Sequence, residues 1–339
     1  MKRILSLALM LLSSFGATSV FAQSSLLATL SHEGNITTYY GAVALKDAYE
    51  AASNGDVITL SSGTFSAVNI EKAITIRGAG MSSNPNTGAL PTIITGDFNL
   101  VDPEDRGDNR LTLEGIYHNN KIYVTGNGIT NATFLKCRFY HITYNGNNAH
   151  YNDLNVINCK VAYTFDCRQG STVHFVNSIV NYQSNITSST IDYTNCVILW
   201  RTWLQNHTIT NCAIYFSMGS NTGHNCTSYN NVAFAQINCT PFSDIINQTN
   251  TLLKPNEGHS VDELFKTFTG DYLDDETFEL SDNAKANYLG TDGTEIGIYG
   301  GSLPFDPTPS NPQITKCNVA AKSTPDGKLS VDIEVNGAK

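Results

Sequence analysis

Arg138 and Lys160 each follow a cysteine in nearly the same phrase, Phe134-Leu-Lys-Cys-Arg-Phe139 and Val156-Ile-Asn-Cys-Lys-Val161. If each cysteine points inward, the next residue points outward, and the two cations share one face. Lys136 sits at the corner beside them, Tyr140 two residues further on, and Asp166 and Arg168 in the following loop. These side chains suit contact with a glycan through charge and hydrogen bonds, and Arg138, Lys160 and Arg168 are the candidates for any catalytic step. The plainer alternative is a solvated basic surface. Trp200 and Trp203 lie too close together for both to face inward with ease, so one of them, beside Arg201, is a further candidate for ligand contact.

Other chemistries find less support. Asp153, Asp166 and Asp192 belong to different repeats, whereas glycoside hydrolysis needs two carboxylates flanking one bond. Asp97, Asp102 and Asp105 lie in an acidic stretch whose oxygens could hold calcium; a solvated loop is the alternative. The eight histidines show no zinc-ligand spacing. No metal or cofactor is expected beyond that possible calcium.

What must position these residues is a repeat. The phrase returns at Phe175–Val180, Tyr193–Ile198, Ile209–Ile214 and Tyr229–Phe234, and the polar residues at its corner (Lys136, Asn158, Asn177, Asn195, Asn211, Asn231) are 22, 19, 18, 16 and 20 residues apart. One such phrase per unit marks a solenoid. The pattern is two short strands of period 2 meeting at a one-residue corner, where asparagine tolerates the left-handed conformation. Stacked coils bring the corner amides about 4.8 Å apart, within reach of one another up and down the pile.

This predicts an all-β right-handed parallel β-helix with a short N-terminal capping helix and a C-terminal β-hairpin. Cys137, Cys159, Cys196 and Cys212 then point inward as buried thiols. Disulfides 137–159 and 196–212 stay geometrically allowed, whereas 159–196 spans too many rungs. His141, Tyr163, Tyr182, Trp200 and Phe216 form an aromatic file that the same alternation assigns to the core.

Residues 1–22 read as a secretory signal peptide, with Met1-Lys2-Arg3, an apolar run and Val20-Phe21-Ala22 before Gln23. The expected location is periplasmic or extracellular. Residues 23–303 form the β-helix, 304–312 a proline-rich linker and 313–339 the hairpin, which packs on the helix or docks to a partner. No further segment is apolar enough to span a membrane. A formal charge of -10 disfavours nucleic acid.

The helix-forming Leu45–Ser53, the Asn54-Gly-Asp56 turn, Val57–Leu60 and a strand ending Arg77-Gly78 resemble the opening of pectin-lyase-like β-helix proteins. Gly290-Thr-Asp-Gly-Thr-Glu-Ile-Gly-Ile-Tyr-Gly-Gly301 resembles the terminal coil of secreted β-helix proteins of Bacteroidetes. The resemblance implies export and, by analogy, contact with glycans. Polysaccharide lyases of that superfamily use an outer strand face, where Arg or Lys takes the proton beside a uronate carboxylate and calcium neutralises the charge. Here the outward position turns to Ile179, Val197, Ala213 and Ala233 after two coils, so a non-catalytic glycan-contacting protein is the favoured expectation, with a lyase and a structural or adhesive stalk as the alternatives.

Overall fold

The computed structural model describes residues 26–84, 88–185, 189–199, 206–216, 226–235, 249–310, 312–320 and 322–336. The chain forms a parallel β-solenoid of about nine turns. One face is an eleven-stranded sheet whose parallel part runs from Val57–Leu60 to Thr227–Tyr229, and a twelve-stranded sheet runs from Gly63–Ser66 to Thr251–Leu253. The stretch 81–110, which carries no copy of the phrase, contains two strands of that second sheet, Thr92–Thr95 and Phe98–Leu100.

At the open N-terminal end, the hairpin Leu27–His32/Asn35–Tyr40 adds antiparallel strands to the first sheet. The helix Ala44–Ala51 buries Ala44, Leu45 and Ala48 against the core, covering apolar side chains as the capping helix was expected to do.

The coils turn on one residue each. Gly115, Lys136, Asn158, Asn177, Asn195, Asn211 and Asn230 have φ between 44° and 62°. Gly115 is a further corner, with Ile116 in the cysteine position. One register differs from the sequence reading: the last rung turns at Asn230, so that Asn231 points inward. The expected ladder also sits one residue later. The Cys137 amide donates to the Cys159 sulfur at 3.3 Å, the Cys159 amide to Ser178 Oγ at 3.0 Å, the Cys196 amide to the Cys212 sulfur at 3.3 Å, and the Cys212 amide to Asn231 Oδ1 at 2.7 Å. A tight corner leaves its inner N–H without a strand partner, and the next coil's side chain accepts it. Cys137, Cys159, Cys167, Cys196, Cys212 and Cys226 are free and buried, and burial pushes the Cys137 and Cys212 thiols well above their ordinary ionisation range.

After Thr251–Leu253 the chain leaves the solenoid and folds back over the outer face of the second sheet. The outward column reads Tyr117, Arg138, Lys160, Ile179, Val197, Ala213, Val232 in successive registered strands. Its apolar half forms a second core with Leu264, Phe265, Phe268, Phe278, Ile296 and Ile298. The stretch Ser260 to Phe268 is helical only over the 3-10 turn Val261–Glu263, because Phe265 and Lys266 are committed to pairing with residues 279–280.

Residues 289–309 then form a strap along the corners, running from late coils to early ones. Asn230 Nδ2 donates to Leu289 O, Asn211 Oδ1 accepts from the Thr291 amide at 2.9 Å, and Asn177 Nδ2 donates to Ile298 O and Gly300 O at 2.9 and 2.8 Å. Asn158 donates to Leu303 O and accepts from the Asp306 amide, and Lys136 meets Asp306 and the Thr308 carbonyl. Pro309, buried, ends beside Gly115.

The closing Gly-Ile-Tyr-Gly phrase is therefore a strap segment and not a terminal coil, and the corner amides hold that strap instead of one another. Its glycines fit the approach: a Cβ on Gly300 would lie 1.6 Å from Glu295 O and 2.8 Å from the Asn195 amide nitrogen. Within the proline-rich linker 304–312, Asp306, Thr308 and Pro309 lie on the solenoid as the last part of the strap. The hairpin Gln313–Val319/Val331–Asn336 follows, with Val319, Val331, Ile333 and Val335 exposed.

Replacing Asn177 separates strap from corner. Asn177→Gly keeps the left-handed turn but leaves the buried Gly300 carbonyl without a donor and takes one of two donors from Ile298 O, whose other donor is the Phe305 amide, an expected loss of about 2 kcal/mol. Asn177→Ala adds about 1 kcal/mol of left-handed strain. Urea-unfolding midpoints of the two variants check both the size and the order.

Candidate functional site

Arg138 and Lys160 are registered neighbours on one outer face, as their spacing requires. Both are engaged by the returning chain. The Arg138 guanidinium pairs with the Asp274 carboxylate and lies 4.1 Å from the centre of the Tyr117 ring. Lys160 Nζ donates to the Asp274 and Glu276 carbonyls at 3.2 and 3.3 Å. Burial, then the neighbouring Arg138, hold the Lys160 ammonium below its ordinary pKa. Lys136 belongs to the strap clasp already described. Arg168 stands apart, 4.5 Å over the Tyr144 ring and bonded to the Gly146 carbonyl.

Beside this clasp the second sheet bulges. The pairing passes from Phe139↔Val161 to His141↔Thr164, so Tyr140 faces the two residues Ala162 and Tyr163. On the other side the step from Phe139↔His118 to His141↔Lys121 sets it opposite Asn119 and Asn120. The bulge takes Tyr163 out of the inside–outside alternation, while Val161 and Phe165 on either side stay inward. Tyr163, assigned to the core by period 2, consequently points outward and is 52% exposed, and Tyr140 is 43% exposed. Their rings stack at 5.1 Å with planes 12° apart. Within the same file Phe216 is buried as expected, and Tyr182 is half-buried.

A cleft of about 690 Å³ opens next to this pair. Ala162, Tyr163, Thr164, Asn181 and Tyr182 line its solenoid side, and Asp271 and Tyr272, from the returning segment, form its far wall. Burial pushes the Tyr272 phenol above its ordinary range. Tyrosine faces, a hydroxyl, an amide and a carboxylate thus converge on one concavity. Asp166 lies behind it, with Oδ2 3.2 Å from His141 Nε2 and Oδ1 accepting from Ser184 Oγ. Burial favours its neutral form, but the hydrogen bonds from His141, Ser184 and Thr143 outweigh that and hold the carboxyl below its usual pKa.

The acidic candidates do not converge. Asp97 accepts from the Lys121 amide, Asp102 from the Thr130 amide with Arg106 nearby, and Asp105 from the Asn54 amide group. Among the described residues no group of three potential ligands gathers around a metal-sized site, and no helix is long and apolar enough to cross a membrane. Trp200, Trp203 and residues 1–22 lie outside the described residues. The structure brings together one pair of carboxylates that spacing keeps on separate coils: Asp153 and Asp192 flank His174, at 3.2 Å from Nε2 and 3.0 Å from Nδ1. That cluster lies on the first sheet, away from the cleft.

Sequence reasoning singled out Tyr140 but not its stacking partner, because Val161 and Phe165, both inward, stay in phase with period 2 on either side of Tyr163 and the bulge leaves no local signal. No protein-family model, curated protein or solved structure matches the chain, so the site stands on its geometry.

Because Asp166 ionises below its usual pKa, it stabilises the folded state fully above about pH 4, and that contribution is lost as pH falls through the lowered folded value. Asp166→Asn is expected to be less stable than the parent at pH 7 and to approach it toward pH 2, checked by urea midpoints across that range.

Proposed function

We propose that this chain is an exported parallel β-helix protein that binds glycan without cleaving it, in the cleft beside Tyr140 and Tyr163. One observation carries the reading: two stacked tyrosines, each about half exposed, border a concavity lined by Tyr182, Thr164, Asn181 and Asp271. An aromatic face packs against the C–H face of a sugar ring, while a few placed polar groups take its hydroxyls, and a monomeric surface rarely leaves such a platform open without use. The signal-like residues 1–22 support export, and the opening and closing motifs support a place among pectin-lyase-like proteins, where glycan contact is common.

The lyase reading draws on Lys160, whose lowered pKa is what a general base needs. Its Nζ, however, faces two carbonyls of the returning chain, and Arg138 faces Asp274, so neither side chain is presented to a ligand. Binding is the better-supported function.

Tyr163→Ala removes one of the two platform rings from an exposed position where folding does not depend on it. On a glycan array followed by calorimetry, the parent is expected to bind at least one oligosaccharide class and the variant to bind it at least about tenfold more weakly. Unsaturated product absorbing in the ultraviolet during incubation with uronic-acid polysaccharides would instead support the lyase.

A further inference from the structure

We infer that the cleft selects uncharged glycans and turns away uronates; this rests on the glycan-binding reading above and names its ligand class. Sequence alone suggests the opposite, because Lys136, Arg138 and Lys160 form a basic patch fit for acidic sugars. In the folded chain the returning segment and the strap occupy that patch. Asp274 pairs with Arg138, Asp306 pairs with Lys136, and main-chain carbonyls of residues 274 and 276 take the Lys160 ammonium.

The charge left facing the cleft is of the other sign. Asp271 is exposed and lines the cleft directly, and Asp275 follows it as an exposed residue of the same segment. The remaining lining groups, Ala162, Tyr163, Thr164, Asn181, Tyr182 and Tyr272, carry no charge at neutral pH. His141, the nearest histidine on the bulged strands, has its Nε2 turned to Asp166 and its ring edge against Tyr163, so it offers the ligand no compensating cation. A formal charge of -10 over the whole chain adds to the same field. A uronate entering the cleft brings a carboxylate close to Asp271, with no free cation among the lining residues to receive it. A neutral sugar ring meets tyrosine faces, the Thr164 hydroxyl and the Asn181 amide without that opposition.

The test uses the full chain and matched hexasaccharides: glucose, galactose, mannose and xylose oligomers against galacturonate, mannuronate and glucuronate oligomers. Titrations at about 20 mM salt, with EDTA and separately with calcium, are followed by calorimetry. The expected result is binding of at least one neutral oligomer that is lost in Tyr163→Ala, with every uronate at least about tenfold weaker. That gap should narrow in about 0.5 M salt, where charges more than a few ångströms apart are screened, and narrow again in Asp271→Asn. Uronate binding equal to or tighter than neutral binding, with or without calcium, and still dependent on Tyr163, overturns the charge inference and leaves the tyrosine platform standing. Absence of binding by every oligomer of either class overturns the platform reading and this inference with it.

Discussion

Successive coils turn through one residue held near φ 50°, and at Asn158, Asn177, Asn211 and Asn230 that residue's side chain is what the C-terminal strap binds. The two facts are linked. A left-handed corner admits glycine and asparagine far more readily than other residues, so a column of corners is a column of side-chain amides. Each such amide offers both a donor and an acceptor, and at Asn158 the strap's main chain uses both. At Asn158 the carbonyl of Leu303 and the amide of Asp306 are satisfied by one side chain. The requirement for a tight corner has thereby created a rail, and the strap lies on it without needing a strand of its own.

The cleft depends on the same arrangement. The segment between the solenoid and the strap buries Phe265, Phe268 and Phe278 over Ile179, Val197 and Ala213. Its loop at 271–276 then closes on Arg138 and Lys160 and supplies Asp271 and Tyr272 as the far wall. Without the returning chain, the outer sheet would present a bare apolar half and a bare basic half. With it, one half is core and the other is an anchor, and the exposed chemistry moves to the bulge at Tyr140 and Tyr163.

Much of this is readable from the repeated phrase, and the rest has identifiable reasons for being hidden. Recurrence of the Asn-Cys phrase assigns the fold, the inward thiols and the registered pairing of Arg138 with Lys160, because period 2 and a single corner residue leave little freedom. The outward Ile179, Val197 and Ala213 were visible as a loss of charge, but what covers them lies about a hundred residues later in the chain, and no local pattern announces such a contact. The closing glycines were read as part of a terminal coil, because a glycine beside an asparagine amide and a glycine at a coil corner look alike in sequence. Tyr163 was assigned to the core because the bulge that turns it outward leaves Val161 and Phe165 inward and in phase with period 2.

Amide hydrogen exchange of the full chain across residues 289–306 tests the docked strap most directly. The Thr291, Gly297, Phe305 and Asp306 amides, which donate to Asn211 Oδ1, Asn211 O, Ile298 O and Asn158 Oδ1, are predicted to exchange as slowly as strand amides of the neighbouring coils. Exchange of all four at the rate of a free peptide, while the solenoid strands stay protected, would contradict the account.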